Sequence, residues 1–567
     1  MNILNRTLKK YVQKYYCYIG GTKNEVKWKT LSHNGIIFPE PYIQHKIPLI
    51  YNGKKIILNS EAEEYATYYV NPRYDNYRND KFKKNFWGDF KKIIDRNLEI
   101  TDFNLCDFTM IKKYVLETKE KNANVSKEEK LKKKTLSLEL TEKYKYAIVD
   151  GVKEAIDNYT VEIPGIFIGR GNHPYIGKIK KRINPEDVII NIGKEEKIPN
   201  INISGHKWGK IIHDNKLEWI ASWKNNVTNK TNYARFGRMS KFKMNSDLGK
   251  FELARNLKNK INNIRKTNAE VLIHENKKYR QLATALYLID KLALRVGNEK
   301  GKDKADTVGV STLKVKNVKL LGNNTVKLDF LSKDSVRYHN TYQVDDDNVY
   351  KNLEEFTMNK NENDQLFDLI SSGDINNYIV SYIKNVTSRT FRTMNASYLF
   401  QKKLNEITKK YKNEKNNEKN KEKILHDVSL AYVDVAKLCN HVKTISNDGI
   451  NKKMKKIKMT LEKYMEKKKQ YEEQKQKYTM ENKDTKKINK MINNIKKKIE
   501  KIKMNKIIAT KTQSLSVGTS KINYLDPRIL FGFLKKNNMM DVILKFLTKK
   551  QLEQFKWAES IDESFEF

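Results

Sequence analysis

Apolar residues recur along this chain at two spacings, and each predicts a different element. Met454, Ile457, Leu461 and Tyr464 step by three and four; after a polar break near 481–485, Ile488, Met491, Ile495, Ile499 and Ile502 do the same. That period is helical, and two narrow stripes either side of a short break predict an antiparallel coiled-coil hairpin over 451–506. The stripes bury little surface, so the hairpin should be flexible. Leu282, Leu286, Ile289 and Ala293 predict a buried or amphipathic helix over 279–296. Val326, Leu328 and Phe330 alternate with polar residues, the mark of a half-buried strand. Val188-Ile189-Ile190-Asn191-Ile192, between Pro185 and Gly193, also reads as a strand. The highly charged stretch 105–157 reads as helical. No apolar run approaches the roughly 20 residues of a membrane span.

At 567 residues, the chain is too long for one ordinary core, and three or four domains are expected. The shifts in pattern divide it into a short basic lead (1–25), a mixed α/β lobe (26–240), a mainly helical lobe (241–445), the basic hairpin (446–506) and a small helical terminal domain (507–567). Residues 410–423 are a polar, low-complexity insertion, expected to be a mobile loop.

Charge narrows the partner. The chain carries 112 Lys+Arg against 68 Asp+Glu, a formal +44, which implies a polyanion. The segment 451–506 alone holds 21 Lys against seven Asp/Glu. Charge does not separate a nucleic-acid enzyme from a ribosomal, nucleosomal or membrane-surface protein. Cys17, Cys106 and Cys439 lie far apart with no CxxC spacing, so reduced thiols in a reducing compartment are expected, and no metal cluster is evident. Lys9 and Lys10 precede no apolar signal-peptide core. An intracellular protein without a membrane segment is expected.

The candidate chemistry lies near the C-terminus. Gly518-Thr519-Ser520-Lys521-Ile522-Asn523-Tyr524-Leu525-Asp526-Pro527-Arg528 follows directly on the Lys-rich hairpin. A tyrosine in a short, sharply punctuated stretch behind a basic arm suggests a nucleophile aimed at a phosphodiester. Such an attack needs cations for the nonbridging oxygens, a proton for the leaving 5′ oxygen and an aligned nucleophile. Arginine suits the first task because it stays charged and donates bidentately. Lysine suits the second where neighbouring cations lower its pKa. Taken singly, the candidates have ordinary explanations. Arg295 could complement a helix C-terminus, Lys333 could be a solvated turn residue, and His441 and Tyr524 could fill a core.

Together they resemble one family. Leu292-Ala293-Leu294-Arg295-Val296-Gly297-Asn298-Glu299-Lys300, Phe330-Leu331-Ser332-Lys333-Asp334-Ser335, Arg389-Thr390-Phe391-Arg392-Thr393-Met394-Asn395-Ala396-Ser397, Leu438-Cys439-Asn440-His441 and the Tyr524 block are similar, in order, to the catalytic motifs of the eukaryotic type IB DNA topoisomerases. Gly169-Arg170-Gly171-Asn172-His173-Pro174, Pro185-Glu186-Asp187 and Gly205-His206-Lys207-Trp208 extend the likeness, which runs from about Val26 to Phe567.

The resemblance implies an α+β multidomain clamp around duplex DNA, with a cap lobe and a mainly helical catalytic core related to tyrosine recombinases. It implies that Arg295, Arg392 and His441 hold the scissile phosphate, that Lys333 is the general acid and that Tyr524 forms a 3′-phosphotyrosine, without ATP, cofactor or metal. It places Arg170, Asn172, His173, Lys207, Asp334 and Asn523 against DNA. Arg170, Asp334 and Asn523 also match a camptothecin pocket. Ile168 departs from a basic residue that some family members carry just before this motif. A monomer in the nucleus is implied. A tyrosine recombinase is the nearest rival, although such enzymes usually have His where Arg389 stands; a non-catalytic DNA clamp or chromatin protein is the second.

Overall fold

A computed structural model describes residues 25–299, 307–412, 418–443 and 447–567. Nearly all of the basic lead, together with Cys17, Lys300 and residues 413–417 of the polar insertion, lies outside the described residues. The chain forms two compact units, Met1–Gly249 with Lys300–Thr307, and Lys250–Glu299 with Val308–Phe567. No helix of the described residues is long and apolar enough to cross a membrane.

The first unit is built on a seven-stranded sheet. Its order is Leu31–His33, Tyr146–Val149, Val152–Asp157, Thr231–Phe236, Trp219–Lys224, Val188–Asn191 and Lys210–Ile212. Only the last pair is parallel. Val188 and Ile190 are fully buried beside Ile220, Ala221 and Trp223; the segment between Pro185 and Gly193 is a strand, as the sequence predicts, and it lies between two others in the sheet. A second core gathers Tyr65, Tyr69, Phe82, Phe86 and Phe90 from the helices Ser60–Tyr69 and Asp80–Phe90; Tyr69 and Phe86 stack at 4.4 Å.

The helical reading of 105–157 holds only in part. Helices cover Thr109–Ala123 and Lys127–Glu142, but Tyr146–Val149 and Val152–Asp157 form a β-hairpin. Asp150 and Gly151 form its turn, both at positive φ. That Asp-Gly pair favours the tight hairpin turn over continued helix.

The second unit is mainly helical. The helices Lys277–Leu292, Ser388–Lys410 and Glu418–Leu438 pack together. Leu286, Ile289, Phe391, Met394, Phe400 and Val435 join Leu525, Ile529 and Phe531 in one core, so the terminal segment is seated in the helical lobe. The antiparallel sheet Val318–Leu320, Thr325–Ser332 and Val336–Gln343 completes it, with Val326, Leu328 and Phe330 buried on one face.

Two boundaries differ from the sequence expectation. The helix expected to reach 296 stops at Leu292, where Ala293 takes φ 49°. The chain leaves the helix because its backbone pairs elsewhere: Val310 N donates to Arg295 O at 2.9 Å and Ser311 N to Val296 O at 2.6 Å. The polar insertion is also not all loop, since 418–423 begin the helix Glu418–Leu438. The basic segment forms helices Asn447–Met480 and Lys486–Lys511 that pack together, with the break where the sequence placed it. Ile488, Ile492, Ile495 and Ile499 are buried along the second helix.

Candidate active site

The second unit brings Arg295, Arg392, His441 and Tyr524 together, with Lys333 in electrostatic range. Arg392 organises the group. It is 4% exposed on the helix Ser388–Lys410. Its Nε donates to Ala293 O at 2.9 Å and its Nη2 to Cys439 O at 3.0 Å. One guanidinium thus ties the Arg295 turn to the His441 turn, a task its planar fork suits. Its Nη1 is buried and makes no hydrogen bond.

The turns themselves are set by backbone geometry. Two residues past the helix Glu418–Leu438, Asn440 takes φ 46°, a left-handed conformation asparagine tolerates beyond helix ends. His441 follows, with its N–H on Ala436 O at 3.0 Å. The Arg295 turn depends on two touching glycines. A Cβ on Gly309 would meet Gly297 Cα at 2.4 Å.

Tyr524 ends the short helix Val517–Asn523 and is 7% exposed. Its ring lies 5.5 Å from the Arg392 guanidinium, 5.9 Å from that of Arg389 and 5.4 Å from the His441 ring. Burial pushes the phenol pKa up. The charges of Arg392 and Arg295, a hydrogen-bonding contact with Arg295 and the charge of Arg389 outweigh it, and the net shift is down. The surrounding cations therefore ease deprotonation of the phenol toward its nucleophilic form.

The backbone around Tyr524 is clamped. Ser397 Oγ, on the Arg392 helix, donates to Tyr524 O at 3.0 Å and accepts from Asp526 N at 3.1 Å. Asp526 caps the helix Pro527–Lys536 through Arg528 N at 3.0 Å. Arg528 in turn pairs with Asp526 at 2.7 Å and with Glu252 at 2.5 Å. An Asp-Pro helix start is visible in sequence. Nothing in the spacing marks Ser397 as its anchor.

His441 Nδ1 lies 2.6 Å from Ser520 Oγ, and its Nε2 is buried without a hydrogen bond. Burial and the charges of Arg392, Arg295 and Lys333 lower its pKa to about 3, so the ring is neutral near pH 7. Ser520, fully buried, is a contact that motif reading passed over. Lys333 sits at the exposed tip between Thr325–Ser332 and Val336–Gln343. Asp334 and Ser335 beside it take φ 68° and 59°. Asn523 Nδ2 donates to Thr519 O at 2.9 Å, and Asn523 O accepts from Lys250 Nζ at 3.3 Å.

The remaining predicted DNA contacts lie in the first unit. Arg170 is exposed between Gly169 and Gly171. Gly169 has φ +68°, and a Cβ there would meet His173 Cβ at 2.5 Å. Asn172 accepts from Lys81 Nζ at 3.0 Å. His173 Nδ1 accepts from Tyr175 N at 3.1 Å, and its ring meets Phe167 edge-on. Lys207 is exposed on another loop, its N–H on Glu186 Oε1 at 3.1 Å.

Comparison with known proteins agrees across the chain. The description "Eukaryotic DNA topoisomerase I, DNA binding fragment" matches residues 26–236, "Eukaryotic DNA topoisomerase I, catalytic core" 239–477 and "C-terminal topoisomerase domain" 496–567. DNA topoisomerase 1 alpha of Arabidopsis thaliana is 40% identical over 558 residues, covering 95% of this chain and 59% of the plant protein. DNA topoisomerase 1 of Homo sapiens is 37% identical over 564 residues, covering 96% and 72%. That of Caenorhabditis elegans is 37% identical over 564 residues, covering 96% and 68%. The chain thus spans about three-fifths of its plant relative and over two-thirds of the animal ones.

Proposed function

The chain belongs to the eukaryotic DNA topoisomerase I family, and from that premise we propose that it relaxes positive and negative supercoils as a type IB enzyme. Tyr524 gives up its phenol proton to solvent and its Oη attacks a backbone phosphorus, forming a 3′-phosphotyrosine as the bond to the 5′ oxygen breaks. Lys333 gives the departing 5′ oxygen its proton. Arg295, Arg392 and His441 hold the nonbridging oxygens, where charge grows in the transition state. The nicked strand rotates about its partner, and the 5′ hydroxyl then reverses the attack. The ester keeps the energy of the broken bond, so the exchange calls for neither ATP nor a divalent metal.

One observation carries this reading: two buried side chains, each with a nitrogen that makes no hydrogen bond, Arg392 Nη1 and His441 Nε2, flank the ring of a buried tyrosine whose pKa is lowered. Unsatisfied buried donors are costly in a resting protein, and an anionic oxygen placed among them removes that cost.

In the finer reading, residues 26–240 cap duplex DNA, 241–445 and 507–567 carry the chemistry, and 446–506 form a coiled-coil linker. The helical core is related to the tyrosine recombinases. The protein acts as a monomeric clamp in the nucleus. Arg170, Asn172, His173, Lys207, Asp334 and Asn523 touch DNA, mainly its phosphates, giving weak sequence preference. Camptothecin-type inhibitors bind the cleaved complex.

The test is relaxation of supercoiled plasmid in EDTA without ATP. Wild type should relax both signs of supercoil and Tyr524→Phe neither. Activity retained by Tyr524→Phe would mean that another residue is the nucleophile. No relaxation by pure, DNA-binding wild type would overturn the proposed activity.

A further inference from the structure

We propose that Ser520 is a positioning residue that sets the tautomer of His441: its hydroxyl donates to Nδ1, so that Nε2 carries the ring hydrogen. The inference rests on the reading of His441 as a phosphate ligand.

The argument starts from burial. Ser520 is 0% exposed on the helix Val517–Asn523, and His441 is 6% exposed. Their side chains meet at 2.6 Å, a strong hydroxyl contact. Among the described residues, this is the hydrogen bond that Ser520 Oγ makes. With three cations close by, the ring does not gain a proton near neutral pH.

A neutral imidazole has one N–H and one lone pair. Phosphate oxygens only accept, so the nitrogen that meets them must carry the hydrogen. Nδ1 is occupied by Ser520, which leaves the otherwise unpartnered Nε2. Nε2 can donate only if Nδ1 keeps its lone pair, and then the serine hydroxyl must be the donor. The opposite arrangement, Nδ1–H on the serine oxygen, would turn an Nε2 lone pair toward phosphate oxygens and repel them.

Ser520 also couples two parts of the site. Its carbonyl accepts the Tyr524 N–H at 3.0 Å. The residue that orients the histidine ring thus also supports the nucleophile's backbone, and docking of the tyrosine segment completes the phosphate site.

The direct test is the tautomer of His441 in the full-length wild-type protein labelled with 15N-histidine. Long-range 15N–1H spectra separate the two neutral tautomers, and H441N identifies the signal among nine histidines. The expected pattern is Nε2–H with a bare Nδ1; Nδ1–H overturns the proposal. This needs no Ser520 variant, so it decides the matter even if Ser520→Ala fails to fold. Kinetics supply the second arm, as single-turnover cleavage of a duplex oligonucleotide. Ser520→Ala should slow cleavage about tenfold, and Ser520→Thr, which keeps the hydroxyl, should recover most of it. In the H441N background, the same Ser520→Ala change should cost under about twofold. A full tenfold loss there would mean that Ser520 acts through packing alone, and the proposal fails. Plasmid relaxation is scored separately: if wild type cannot relax DNA, the proposed activity is lost while the tautomer remains a measured fact.

Discussion

The two ends of the candidate site are built in opposite ways. At one end Arg392, His441 and Tyr524 are buried in a shared core, each held by contacts from other segments. At the other, Lys333 stands exposed on a hairpin tip. The contrast teaches where preorganisation is worth its cost. Groups that stabilise transition-state charge gain from fixed geometry in a dry setting, and burial makes each donor stronger. A proton donor, the role proposed for Lys333, must keep an ordinary route to protons, and an exposed lysine does. The buried end should therefore couple activity to stability, while the exposed end should not.

The largest expected effect breaks the two ends apart. Lys333→Ala should slow cleavage by about 10²–10⁴-fold while changing unfolding free energy by no more than about 0.5 kcal/mol. A substrate with sulfur in place of the bridging 5′ oxygen should largely restore the variant, because a thiolate leaves without a proton. Single-turnover cleavage and urea melts measure both. Equal impairment on the oxygen and sulfur substrates would remove Lys333 as the acid.

Arg392→Lys should behave in the opposite way. An ammonium carries its three donors on one nitrogen, so it cannot span Ala293 O and Cys439 O and also present a donor where Nη1 now lies, as the separate guanidinium nitrogens do. Cleavage should fall by about 10²–10³-fold, and a carbonyl left buried without its donor should cost about 1–3 kcal/mol. A variant that loses rate with unchanged stability would show that the buried end is not held as described.

Gly309→Ala tests the same coupling at one remove, since Gly309 brings no side chain to the site but lies against the backbone of the Arg295 turn. Its Cβ would collide with Gly297 Cα and displace the Arg295 turn, costing about 1–3 kcal/mol and roughly tenfold in cleavage. Full activity with lowered stability would separate the turn from the chemistry.

The same contrast explains what the sequence made legible. The strand that leads to Lys333 was readable because Val326, Leu328 and Phe330 alternate, and period-2 patterns survive folding unchanged. The break near 481–485 was readable because polar residues interrupt a long helical stripe. The end of the helix before Arg295 was not, because Ala293 suits a helix by propensity. It leaves the helix only because Val310 and Ser311 pair with the backbone beyond it. The strands at Tyr146–Val149 and Val152–Asp157 were not legible from charge, which does not distinguish a helix from two strands; only the Asp150-Gly151 turn between them does. Ser520 and Ser397 were invisible as partners, since a buried hydroxyl's role depends on which segment the core packs against it.

The smallest effect crosses between the two ends. His441 has a folded pKa of about 3 against an ordinary 6.5. Between those values the unfolded chain binds the extra proton, so His441 lowers stability as pH falls below about 6.5, by at most about 1.4 kcal/mol per pH unit. His33, buried in the first unit with a pKa near 4, acts with the same sign, so the His441 share is the part that H441N removes from urea melts taken between pH 7 and 5. Burial contributes most to the depression, then Arg392 and Arg295, and Lys333 least. Removing the lysine charge should therefore raise the folded pKa of His441 without restoring it to its ordinary value. The ring signal of His441 in Lys333→Ala, titrated downward from pH 5 while the protein stays folded, should show a higher midpoint than wild type. An unchanged midpoint would mean that the exposed tip and the buried donors do not share a field, and that the two ends meet only when DNA bridges them.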